Sequence, residues 1–295
     1  MDNSAEAFVH SNHVTVRPGT GLRFEHRRMD KRTGFASDWQ MTVITEWASR
    51  LRDIITVIAF KSLFLVTTLW AAPALLSLPA ADENTFRVLS PGGSGPHPVV
   101  LLVPGCSGFT GINGINVYDE RAAELQAAGF EVVYVDYISK RMQSNCAHIS
   151  QAEVSADILQ AAKWVATQSG VDGSRISVIG WSYGGGGVLA ALNAAGDALI
   201  TKAILYYPVC RGAGPLSAIA SGLMLFGAAD DIASPTGCTV VAKGVPAEKL
   251  GVITYPNARH GFDMRGNPET QTPGAPAYSP EAAAASWTAV MEFLK

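Results

Sequence analysis

Gly180-Trp-Ser-Tyr-Gly184 places a serine two residues from a glycine on either side. A β-branched stretch, Arg175 to Gly180, leads into it, and a helix-forming stretch, Tyr183 to Ala195, leads away. This is the strand–turn–helix setting in which G-x-S-x-G presents a nucleophile. The backbone must turn sharply at the serine, and side chains two residues away would collide there. The following helix N-terminus favours negative charge developing at the reacting oxygen. A glycine-rich turn can instead cradle a phosphate, but the G-x-G-x-x-G spacing and the P-loop lysine are missing. Ser182 is therefore read as a nucleophile.

A nucleophilic serine needs a base, and the base needs an orienting carboxylate. In this setting the chain order is Ser, then Asp or Glu, then His. After residue 82 histidines stand at 97, 148 and 260, and only His260 lies downstream of Ser182. It follows the last strand-like segment, Val252 to Tyr255, in Tyr-Pro-Asn-Ala-Arg-His-Gly-Phe. The acid should follow the segment ending at Phe226, where Asp230 and Asp231 are adjacent. Asp230 is the expected acid, and Asp231 is read as its alternative or as a cap of the helix near Pro235. The oxyanion donors are expected to be the backbone N–H of Tyr183 and that of Cys106, the latter in the loop Pro104-Gly-Cys-Ser-Gly108 after Val103.

These residues must be held by alternating elements. Thr85–Leu89, Pro98–Val103, Glu131–Asp136, Arg175–Gly180, Lys202–Tyr207, Gly222–Phe226 and Val252–Tyr255 read as strands. Tyr118–Ala128, Gln151–Gln168, Tyr183–Ala195 and Pro280–Leu294 read as helices. The alternation predicts an α/β fold with a mostly parallel sheet and helices on both faces. Continuous apolar runs such as Pro98–Val103 fit strands covered on both sides.

The first 81 residues read differently, as a polar N-terminal extension followed by an export signal or anchor, with residues 82–295 as a single catalytic domain. Arg50, Arg52 and Lys61 precede an uncharged run from Ser62 to Ala81. Positive charge, an apolar run and then small residues is the pattern of an export signal, with cleavage expected between Ala74 and Asp82. A retained anchor is the alternative, since about 20 apolar residues can span a bilayer. Met1 and Met41 are both possible starts. The expected destination is periplasmic or secreted, and any membrane contact would come from this segment alone.

The cysteines stand at 106, 146, 210 and 238, all after the leader. An even number in an exported chain suggests two disulfides, and four cysteines allow three pairings. Cys106–Cys146 and Cys210–Cys238 are the expected pairs, because they join loops at the same edge of the sheet. Free thiols in a cytosolic enzyme are the alternative. Cys106 as nucleophile lacks the strained turn. Over 295 residues the formal net charge is −3, with 48% hydrophobic and 16% charged residues. That balance fits a packed enzyme rather than a nucleic-acid binder or a disordered chain.

Over residues 85–295 the sequence resembles the dienelactone hydrolase family within the α/β-hydrolase superfamily. Four segments carry the resemblance: Pro104-Gly-Cys-Ser-Gly, Gly180-Trp-Ser-Tyr-Gly-Gly-Gly, Phe226-Gly-Ala-Ala-Asp-Asp and Tyr255-Pro-Asn-Ala-Arg-His-Gly-Phe. The resemblance implies a compact hydrolase without a large lid. Two departures stand out: Ser182 replaces the family's cysteine nucleophile, and Pro104-Gly105 stands where its cysteine enzymes have His-Glu. The four cysteines and leader are similar to exported members. The expected activity is hydrolysis of a small-molecule carboxylic ester, with no metal or organic cofactor. A related peptidase and a catalytically silent binding module are the competing readings.

Overall fold

The computed structural model describes residues 8–10, 13–15 and 86–295, apart from 196–198, 212, 214, 217, 218, 220 and 244. The leader and its cleavage region lie outside the described residues. Two short strands, β1 (Phe8–His10) and β2 (His13–Thr15), precede the main body of the sheet. That body is β3 (Arg87–Leu89), β4 (His97–Val103), β5 (Glu131–Tyr134), β6 (Val171–Trp181), β7 (Lys202–Tyr206), β8 (Gly222–Gly227) and β9 (Leu250–Tyr255). The spatial order is β1-β2-β9-β8-β7-β6-β4-β5-β3. From β5 through β9 and on to β2 the neighbours are parallel, while β3 and β1 add antiparallel edges.

Helices cover both faces, which is why the central strands are apolar throughout. Val99 to Val103 and all of β8 are buried. On one face α2 (Gln151–Val165) and α3 (Ser182–Ala195) enclose a core with Val154, Ile158, Val188 and Leu192. On the other, α1 (Val117–Ala127) and α5 (Pro280–Leu294) pack Leu125, Trp287 and Val290 against Ile179 and Leu225. A short helix, α4 (Thr239–Ala242), follows the acid-bearing loop.

Local chemistry explains the ends. Ser150 and Glu153 form a reciprocal capping box that starts α2. Pro280 sits in the first turn of α5, where its missing N–H costs nothing. Boundaries depart from the sequence reading where apolarity fades. β6 starts at Val171 rather than Arg175, because its first five residues are only half-buried or exposed.

The chain runs from β4 to β5 on one side, then crosses to β6 on the other. That reversal opens a crevice at the C-terminal ends of β4 and β6, where open α/β sheets bind ligands. Pro104-Gly105 and Ser182 both emerge there.

Candidate active site

Ser182 follows β6 directly and opens α3, with φ at +49°. A β-carbon on Gly184 would lie 2.2 Å from the Pro104 carbonyl oxygen, and one on Gly187 would lie 2.3 Å from Val154. The glycines therefore let α3 start beneath the β4 loop and press against α2. The turn holds the Ser182 hydroxyl at the crevice.

His260 comes from the loop after β9. Its Nε2 is 2.9 Å from Ser182 Oγ, and its Nδ1 is 2.8 Å from Asp230 Oδ2. The Asp230 carboxylate is buried, and its Oδ1 accepts the N–H groups of Ile232 and Ala233 at 2.9 and 2.8 Å. A carboxylate fixed in this way selects the tautomer with hydrogen on Nδ1, leaving Nε2 free to take the serine proton. Asp231 faces elsewhere. It accepts from Arg259 at 2.7 Å and from the Gly274 N–H at 2.8 Å. The Gly274 N–H, with Arg259 second, holds its carboxyl below the usual range. Asp231 thus ties the acid loop to the residue before His260 instead of capping a helix.

The β4 loop is clamped by two tyrosines that the motif reading missed. Tyr118 from α1 places its hydroxyl 3.0 Å from the Gly105 N–H. Tyr137, after β5, donates to the Gly105 carbonyl at 3.0 Å and reaches the Pro104 carbonyl at 3.2 Å. The Gly108 N–H also meets the Gly105 carbonyl, at 3.1 Å. In a trans peptide the carbonyl and the next N–H point oppositely. Anchoring the Gly105 carbonyl on the Tyr137 side therefore turns the Cys106 N–H the other way. Burial pushes both phenols well above their ordinary pKa, so both stay protonated, Tyr118 accepting from the Gly105 N–H and Tyr137 donating to the Gly105 carbonyl. The Tyr183 N–H belongs to the first turn of α3, where amides have no intrahelical partner. Its side chain is held by the Ile149 carbonyl.

Cys106 is bonded to Cys146, and Cys210 to Cys238, with Cα–Cα distances of 4.7 and 5.2 Å. These are the two expected pairs. Two disulfides fit an oxidising environment outside the cytoplasm. Among the described residues, no helix is long and apolar enough to cross a membrane.

Behind the site lies a further group that the motifs did not signal. Asp263 is buried and accepts from Trp181 Nε1 at 2.7 Å and from the Tyr207 hydroxyl at 2.5 Å. Burial raises its pKa. The Tyr207 ring lies 4.6 Å from the imidazole centroid. Asp263 thus fixes the residue before Ser182 and the ring beside His260. The only sequence hint was a carboxylate three residues after His260 in an otherwise apolar stretch.

The sheet order, the helices on both faces and the serine at the strand-to-helix turn define an α/β-hydrolase fold. The model of the dienelactone hydrolase family matches residues 86–295, and the chain belongs to that family. No curated protein matches the sequence. Among solved structures, a Klebsiella pneumoniae protein of dienelactone hydrolase type is similar at 18% identity and a TM-score of 0.59, covering 71% of this chain and 91% of that one. A dienelactone hydrolase-like promiscuous phosphotriesterase from metagenomic libraries is similar at 22% identity and 0.56, covering 71% and 98%. Porphyromonas gingivalis dipeptidyl peptidase 4 matches at 18% identity and 0.52, covering 71% of this chain and 33% of that one. The family supports a hydrolase, and these structures share its fold.

Proposed function

We propose that the protein is an exported serine hydrolase that cleaves carboxylic esters through an acyl-enzyme. The observation that carries this reading is the continuous hydrogen-bond chain from Asp230 through His260 to Ser182, at 2.8 and 2.9 Å. His260 takes the proton as Ser182 attacks the ester carbonyl, and Asp230 stabilises the imidazolium that forms. The Cys106 and Tyr183 amides receive the charge on the carbonyl oxygen. His260 then gives its proton to the departing alcohol, and water repeats the sequence to release the acid. The leader and the two disulfides support export.

Ser182→Ala tests the reading directly. Turnover of p-nitrophenyl esters should fall by several orders of magnitude, and covalent labelling by a fluorophosphonate should vanish, with far-UV circular dichroism unchanged. A variant keeping more than about a tenth of the wild-type rate would rule out Ser182 as nucleophile. Amide substrates matched to the esters separate an esterase from a peptidase.

A further inference from the structure

The crevice at Ser182 opens into a cavity of about 280 Å³. That lies just below the roughly 300–1,000 Å³ usual for ligand sites. Ile112 and Ile115 from the β4–α1 loop and Val117 at the start of α1 form one wall, and Met264 from the loop after β9 forms another. Trp181 and Tyr207 also line it. Among the described lining residues there is no lysine, arginine, aspartate or glutamate, and His260 supplies the only imidazole.

Two arginines on the loops that flank the cavity are engaged with carboxylates. Arg259 pairs with Asp231, and Arg265, between two lining residues, turns away to pair with Glu120 of α1. The Gly266 carbonyl is held by the Asn113 side chain at 2.9 Å, which joins the two walls. Neither arginine is among the residues that line the cavity. A carboxylate entering this cavity would give up part of its water and gain no cation, only the neutral polar groups of Ser107, Thr110 and Asn267, a cost for an ionised group. An uncharged apolar chain would lose water from its surface against isoleucine, valine, methionine and aromatic carbon, which is favourable.

Resting on the proposed ester hydrolysis, we infer that the substrate is a neutral ester of a short, uncharged acyl chain, and that the site rejects esters bearing a free carboxylate. Specificity here comes from an unpaired charge that the wrong substrate would bury, not from a contact the right one gains.

Two esters of nearly equal shape test this in the wild-type enzyme, with released methanol as readout. Methyl 4-methylpentanoate carries two methyl groups where monomethyl succinate carries two carboxylate oxygens. At neutral pH, kcat/KM should favour the neutral ester by at least about 100-fold. Ile232 lines the rim and is 46% exposed, so a guanidinium is tolerated there. Ile232→Arg should narrow the ratio severalfold, as a rim charge can. Equal turnover of the two esters, with Ser182→Ala inactive on both, would overturn this inference and leave the hydrolase reading standing. Ester turnover that survives in Ser182→Ala would overturn that reading, and this inference with it.

Discussion

Asp263 has the most to say at the scale of single residues, because it is a buried carboxylate outside the Ser182–His260–Asp230 chain. Its folded-state pKa is raised by burial, against an unfolded value of about 3.9. Between those two values the native state keeps a proton that the unfolded state has lost. Stability contributed by this group is therefore highest below about 3.9 and falls as pH rises through the window. An asparagine can keep both bonds, accepting from Trp181 and donating to the Tyr207 hydroxyl. Asp263→Asn should then gain on wild type as pH rises from about 4 to 7, read as the difference between urea midpoints. A difference that stays flat with pH would refute the cost assigned to Asp263. Ser182 and His260 were legible in the sequence, since a motif and a chain order single them out. Asp230 and Asp231 were not separable there. Adjacent carboxylates differ only in which way the turn after β8 directs them, and that turn is set by the Asp230 N–H bonding the Gly227 carbonyl at 3.2 Å.

Loops carry the site at the scale of elements, and other elements hold the loops. The segment after β5 is pinned to α2 by Lys140 and Arg141, which meet the buried Asp157 at 2.7 and 2.5 Å. From that segment Tyr137 sets the Gly105 peptide, and Cys146 holds Cys106. Removing an oxyanion donor outright costs roughly 10²–10³ in kcat, so loosening one should cost less. Tyr137→Phe should lower kcat by about tenfold with KM nearly unchanged. A rise in KM at constant kcat would place Tyr137 in substrate binding instead. The disulfides act on the same loops. They close segments of 40 and 28 residues, and each should contribute about 2–4 kcal/mol. Reduction should lower ester turnover at reductant concentrations where circular dichroism still reports a folded domain, because geometry fails at shifts of about 1 Å. Activity and secondary structure lost together would refute a role for the bridges in the site. Strands and helices were legible because their periodicity follows burial. The tyrosine clamps were not, since buried phenols that meet the Gly105 peptide from α1 and from the loop after β5 leave no pattern along the chain.

At the scale of the whole molecule, the sequence reads as a leader before a catalytic domain, and after β1 and β2 the described residues resume at Phe86. Phe86 is buried, and its ring lies 5.2 Å from that of Trp164 in α2. Every element from β3 onward, and every residue assigned to the site, lies after it. A cut between Ala74 and Asp82 would leave all of these in place. It would remove β1 and β2, and the edge they provide is narrow. β2 pairs with β9 at two positions, Val14 with Ile253 and Thr15 with Thr254, whereas β8 pairs with β9 at six. The strand that leads to His260 therefore takes most of its register from β8, and its inward residues Val252 and Tyr255 remain in the core. We expect a chain of residues 82–295, made where disulfides can form, to hydrolyse p-nitrophenyl esters within about threefold of the protein isolated from its host, since a surface change away from a core or cap usually shifts stability little. Intact mass of the host protein should place its first residue between Leu75 and Asp82. A mature chain that retains Leu63 to Leu76, or an 82–295 chain that binds no fluorophosphonate, would show that the N-terminal segment belongs to the working enzyme.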